Sequence, residues 1–225
     1  TASGEGNILV SDKAPGPELD LARLSVQRWH ELAADLAEGD LDIEFDAKGG
    51  LVVAESDAAA AGLRAFADRQ RTAQIEAVGV VEGELHAHEP ALADDLTYGV
   101  WYPQDAQVQP VLAVAALLRR AREQGAHVQA GTEVTAIDTD RQGHVTAVVT
   151  PHGRVSCRWV VNAAGPWSPA VSAMVGLTLP LRPRRGHILV TEPVGPLVRH
   201  KVYDAGYVGT LTADDDPGAV EVSSV

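Results

Sequence analysis

The 225-residue chain carries 18 Lys and Arg against 31 Asp and Glu, a formal net charge of −13. That excess of acid argues against a nucleic-acid-binding surface or an anchor on an anionic membrane, both of which need clustered positive charge. Apolar residues make up 45% of the chain, enough for a buried core, while the longest strictly apolar run, residues 111–118, falls well short of the roughly 20 that span a bilayer.

Residues 1–17 read as a loop of small residues with a brief apolar stretch at 8–10. Residues 18–38 predict a helix, because Leu21, Leu24, Val26, Trp29, Leu32, Ala33 and Leu36 recur mostly three and four apart. Glu18 and Asp20 open it and Gly39 stops it. Residues 41–45 alternate apolar with acidic, which predicts a half-buried strand folding back through 46–49 onto a second strand at 50–54. Ser56 and Asp57 cap a helix over 57–74 with Leu63, Phe66 and Ala67 inward. A short strand at 78–81, a helical turn at 86–90 and a strand at 98–102 follow, the last ended by Pro103. Pro110 sits in the first turn of a helix over 110–124, with Gly125 at its stop and a strand at 127–130 behind it. Residues 133–137, 145–149 and 154–157 predict a small antiparallel meander with Cys157 as a buried small residue. An apolar strand at 159–161 leads into a short helix at 169–175, and 186–191, 201–203 and the last residues are strand-like. The helix at 110–124, set between strands, is the one candidate crossover. The class is α/β with α+β character.

One cysteine allows neither an intrachain disulfide nor an all-cysteine metal site, which suits a reducing, cytoplasmic compartment. The stretch Asn162, Ala163, Ala164, Gly165, Pro166, Trp167 runs from an apolar strand into small residues and a helix. Small side chains let the backbone approach a ligand closely, and ligands of open α/β sheets sit beyond strand carboxyl ends. The same residues equally suit tight strand–helix packing with no ligand. Ala2, Ser3, Gly4, Glu5, Gly6 and Asn7 form a donor-rich loop able to nest an anion, although it is not GxGxxG. His86, His88 and Glu89 offer too few ligands for a metal, and Ser168 lacks the Gly-x-Ser-x-Gly setting of a hydrolase nucleophile. Arg182, Arg184 and Arg185 cluster, and an Arg facing a pocket holds a carboxylate bidentately. A straight strand would put Tyr203 and Tyr207 on one face, with Gly206 between them.

In this order, three of these stretches resemble the glycine oxidase, D-amino-acid oxidase and sarcosine oxidase family of FAD-dependent amine oxidoreductases. They are residues 2–7; the helix and strand of 110–137 with Gly131, Thr132, Glu133 and Val134; and residues 160–168 followed by Pro183, Arg184, Arg185, Gly186 and His187. The resemblance covers almost the whole chain. It implies a flavoprotein fold with an interleaved mixed or antiparallel substrate sheet. It divides the chain into the remainder of an FAD-binding domain at 1–40 and 108–178 and a substrate-binding domain at 41–107 and 179–225. The chain then resembles the middle of such a protein, without its N-terminal GxGxxG unit or its C-terminal flavin-covering segment. FAD is expected of the full-length protein and weakly or not at all of this chain alone. The resemblance places Ala2, Ser3, Gly4 and Asn7 near the flavin and its phosphates and Val134 at the adenine end. Ala163, Ala164, Gly165 and Trp167 would line the cofactor. Tyr207 and Arg185 are the catalytic candidates, facing the substrate carboxylate. The implied reaction is oxidation of an amino acid or amine at the α-carbon to an imine by hydride transfer to flavin. A homo-oligomer and an electron-accepting partner subunit are both compatible with it. The alternative is a binding or structural module that keeps the fold without the cofactor.

Overall fold

The computed structural model describes residues 4–183 and 186–206. In chain order the elements are β1 (Asn7–Ile8), α1 (Pro17–Glu38), β2 (Gly50–Ala54), α2 (Asp57–Thr72), β3 (Val78–Val81), α3 (Glu82–His88), β4 (Tyr98–Tyr102), β5 (Ala106–Gln107) and α4 (Pro110–Glu123). Then come β6 (Ala136–Thr139), β7 (Val145–Thr150), β8 (Gly153–Ser156), a 3-10 turn (Gly165–Trp167), α5 (Ser168–Ala173) and β9 (Lys201–Asp204). They fall into two units, one built on residues up to Arg120 together with those from Val190 on, the other on Ala121–Leu189.

In the first unit β2 is buried along its whole length. Its unbroken apolar run is what a strand covered on both faces requires. Val52 and Ala54 face α2, where Leu63, Phe66 and Ala67 pack with Tyr98, Val100 and Tyr102. Each such large side chain taken fully from water contributes about 1.5–3 kcal/mol. Leu51 and Val53 face the opposite way, onto Val80, Leu85 and Leu96. The sheet runs β3-β4-β2-β9, with β2 antiparallel to β4 and parallel to β9. Ser56 caps α2 by accepting from the Ala59 N–H at 3.2 Å.

Residues 41–45 do not form the expected strand: Asp46 makes a lone bridge to Gln107, and β2 pairs with β4 rather than with its predecessor. Glu44 has φ 50°, a left-handed turn that breaks the extended path. The alternation there still has a packing cause, since Ile43 is buried beside Ile8, Leu36, Ala106 and Val108, with Leu41 and Phe45 packed against them. α1 also departs from expectation at its start, because Leu21 and Leu24 are 67% and 61% exposed while Leu19 is buried, although Leu36 is buried as expected.

The second unit holds the predicted meander, with order β6-β7-β8 and both pairs antiparallel. Ile137 and Ala147 are buried in it, while Cys157 is half-buried. Residues 127–130, 159–161 and 186–191 are not strands, so α4 is not a crossover between strands. Trp159 and Val161 are 86% and 89% exposed, so these apolar residues have no partner strand among the described residues. No helix among the described residues is long and apolar enough to cross a membrane.

Candidate functional site

A cavity of about 830 Å³ opens in the first unit. One wall is β1 and the segments on either side of it, contributing Glu5, Asn7, Ile8, Leu9, Asp12 and Lys13. A second is the start of α1, where Glu18, Leu21, Ala22, Ser25 and Trp29 line the space at spacings of three and four. Leu21 is therefore a pocket residue, which accounts for its exposure. The third wall is β9, with Lys201, Val202, Tyr203 and Asp204.

Beneath the first wall lies a buried polar network. The Asp105 carboxylate accepts from the Val10 N–H at 2.9 Å, the Ser11 N–H at 3.3 Å and the Ser11 hydroxyl. Ser11 Oγ in turn accepts from the Tyr203 hydroxyl at 2.6 Å. Gln70 on α2 donates to the carbonyls of Val10 and Lys13 at 2.9 and 2.8 Å, and its own carbonyl accepts from the Tyr102 hydroxyl at 2.7 Å. Ser11, Gln70 and Asp105 have no exposed surface. Burial pushes the Asp105 carboxyl up to about 6, against the opposing pull of the Ser11 hydroxyl, the two N–H donors and the Lys201 charge. Burial also raises both tyrosine hydroxyls, so they remain protonated donors.

The cavity mixes charges. Lys13 pairs with Asp12 at 3.0 Å and Glu18 at 3.3 Å, and these contacts raise it although burial works against them. Lys201 lies 4.6 Å from the centroid of the Tyr203 ring. Burial lowers it, and the negative charges of Asp105, Asp12 and Glu5 oppose that. Asp12 keeps one buried oxygen, Oδ1, without a hydrogen-bond partner.

A second buried acid fixes the β9 wall. Glu89, 1% exposed, accepts from the Arg199 N–H at 2.9 Å and the His200 N–H at 3.0 Å. His200 Nδ1 lies 3.3 Å from the same carboxylate, and its ring meets Trp101 edge-on at 4.6 Å. Glu89 thus ends α3 and anchors the start of β9. Among the described residues no group of three His, Cys, Asp or Glu is placed to hold a metal.

The residues singled out from sequence divide as follows. Ala2, Ser3, Arg185 and Tyr207 lie outside the described residues. Asn7 lines the cavity, pairs with Gln107, and donates its amide to Glu5. Gly4 is exposed just before it. Between them Gly6 takes φ 75° so close to the Val108 carbonyl that a Cβ would collide with it. Val134 is half-buried ahead of β6 in the second unit. Ala163, Ala164, Gly165 and Trp167 lie together there, with Trp167 73% exposed. Asn162 shapes that turn: its amide donates to Ser168 O at 2.9 Å and Ser172 Oγ at 3.1 Å, and its carbonyl accepts from the Ala164 N–H at 3.3 Å. Asp12, Asp105 and Lys201 escaped the sequence reading, since isolated charges carry no spacing pattern, and Trp29 entered it only as one of the apolar residues of α1.

The sequence pattern of the family described as FAD dependent oxidoreductase matches residues 2–220. The chain belongs to this family. Among its relatives, hydrogen cyanide synthase subunit HcnC of Pseudomonas aeruginosa is 31% identical over 214 residues, which is 89% of this chain and 46% of that protein. The glycine oxidase of Geobacillus kaustophilus is 31% identical over 189 residues, 83% of this chain and 50% of that protein. The crystal structure of glycine oxidase from Geobacillus kaustophilus superposes with a TM-score of 0.80 at 26% identity, covering 90% of this chain and 55% of that one. The chain spans about half the length of these curated relatives. The mixed α/β architecture with its substrate-type sheet is that of the FAD-binding oxidoreductases.

Proposed function

We propose that the protein to which this chain belongs oxidises an amino acid or amine at the α-carbon to an imine, with FAD as cofactor. The observation that carries this reading is the family match across residues 2–220, joined to a charged cavity on the loop that resembles the flavin loop. FAD, when bound, supplies the acceptor for the hydride that leaves the α-carbon.

Each unit carries its own candidate donors for the cofactor. Gly6 lets the loop pass against the Val108 carbonyl, where a side chain would collide, and Gly4 and Asn7 flank it as candidate main-chain donors. Ala163, Ala164 and Gly165 present main chain under small side chains, and Trp167 adds an exposed indole. Val134 would offer its backbone to the adenine end. Tyr207 and Arg185, with Ala2 and Ser3, remain proposals resting on sequence position. The described cavity adds Lys201 and the carboxylates of Glu5, Asp12, Glu18 and Asp204, a charge pattern able to orient a small zwitterion or amine.

The test is the visible absorbance of the intact protein as purified, followed by anaerobic bleaching with glycine, N-methylglycine and simple amines. Flavin absorbance that one of these donors bleaches is the expected result. A colourless protein that added FAD cannot restore would overturn the reading in favour of a module that keeps only the fold.

A further inference from the structure

We propose that Asp105 is a positioning residue for the cavity: its carboxylate holds the segment bearing Asp12 and Lys13 and, through Ser11, the ring of Tyr203, so that protonating Asp105 loosens two walls and weakens ligand capture. This rests on the cavity being the substrate site.

Asp105 lies between β4 and β5 with none of its surface exposed. Its three side-chain donors all come from Val10 and Ser11, at the far side of the first unit's sequence. Its backbone is held as well, since its carbonyl accepts from the Gly49 N–H at 2.9 Å. A Cβ on Gly50 would occupy the space of the carboxylate, so β2 leaves room for it. The titratable groups around it are Lys201 and Tyr203 from β9, Tyr102 from β4 and Asp12 from the loop, and α2 contributes the neutral Gln70. Among the described residues no basic side chain makes a direct ion pair with Asp105.

A buried carboxylate with hydrogen bonds but no direct ion pair is an unfavourable choice for stability alone. Asn has the same shape, accepts from the same two N–H groups and can reverse the bond to Ser11, with no charge to desolvate. The charged form differs in two respects. It is the stronger acceptor for the N–H groups of the loop, and it supports the positive charge of Lys201 on the facing wall. Both bear on the cavity rather than on the core. Burial that lifts the carboxyl to about 6 also places its titration within reach of ordinary assay conditions.

The experiment compares the intact wild-type protein with Asp105→Asn and Asp105→Ala. Melting temperature is read at about pH 5 and about pH 8, together with amide exchange at Val10 and Ser11 and the KM and kcat of whichever of glycine or N-methylglycine bleaches the flavin. Asp105→Asn is expected to melt higher than wild type near pH 8, to exchange these amides about tenfold faster, and to raise KM about tenfold with kcat within about threefold. Wild-type KM rises as pH falls below about 6, and the Asn variant shows no such rise. Asp105→Ala is expected to lose both stability and capture. An Asn variant that melts lower near pH 8 and keeps the wild-type pH profile of KM overturns the proposal. If neither amino acid bleaches the wild-type flavin, the functional reading fails, and the exchange data decide alone. Unchanged protection of Val10 and Ser11 in Asp105→Asn would then overturn the role of Asp105.

Discussion

The Tyr203 hydroxyl donates to Ser11 Oγ at 2.6 Å, joining residues 192 positions apart in the sequence. This bond ties β9 to the loop after β1, the two walls that face each other across the cavity. Removing it alone leaves Ser11 bonded to Asp105, and the vacated space is one oxygen atom. Tyr203→Phe is therefore expected to cost about 0.5–1.5 kcal/mol in urea denaturation of the intact protein.

Gln70 is a stronger lever, because one side chain satisfies two loop carbonyls and the Tyr102 hydroxyl without any exposure. Gln70→Ala strips a partner from the Lys13 carbonyl and the Tyr102 hydroxyl, leaves the Val10 carbonyl only the Lys13 N–H, and opens a void under the loop. A loss of about 3–5 kcal/mol is expected by the same measurement, with near-wild-type circular dichroism at low temperature.

Glu89 performs a comparable task at the start of β9. Glu89→Ala strands the Arg199 and His200 N–H groups and is expected to cost about 2–4 kcal/mol. Amide exchange should then accelerate at residues 199–204 more than in β4, because among the described strands β9 pairs only with β2. Equal acceleration in both strands would contradict this anchoring role.

Gly49 takes φ 74°, and the Trp101 ring occupies the place of its missing Cβ. Gly49→Ala has to adopt a left-handed backbone and displace an indole together. About 2–4 kcal/mol of destabilisation is expected, with an altered near-ultraviolet signal from Trp101.

The pH dependence of stability follows from Asp105, whose carboxyl rises from 3.8 to about 6 on burial. Between those values the folded state holds a proton that the unfolded chain has lost. The contribution is therefore complete below about 4 and is lost as pH rises through about 6, leaving the protein about 3 kcal/mol less stable from this group near neutrality. Denaturation of wild type against Asp105→Asn across that range should show the two curves converging as pH falls.

The elements that were legible before any coordinates are those whose reasons are local. Ser56 with the apolar spacing of Leu63, Phe66 and Ala67 defines α2, and the strand-like stretches at 133–137, 145–149 and 154–157 define the meander. The stretch at 41–45 misled because an alternating pattern reports which side chains go inward, and Ile43 does go inward, but from a loop that pairs with no neighbouring strand. The strand at 159–161 misled in the converse way, since apolar residues alone do not supply a partner.

By itself the sequence determined α1, α2 and α4, the mixed class, the meander and the family resemblance, because each depends on residues near one another along the chain or in a fixed order. Only the tertiary structure decided that Lys201, Asp12 and Trp29 share one cavity and that Asp105, Gln70 and Tyr203 converge beneath it. These contacts join residues dozens to nearly two hundred positions apart, and a lone buried acid has no periodicity to announce it. Its partners, and the burial that sets its charge, exist only once β2, β4 and β9 have come together.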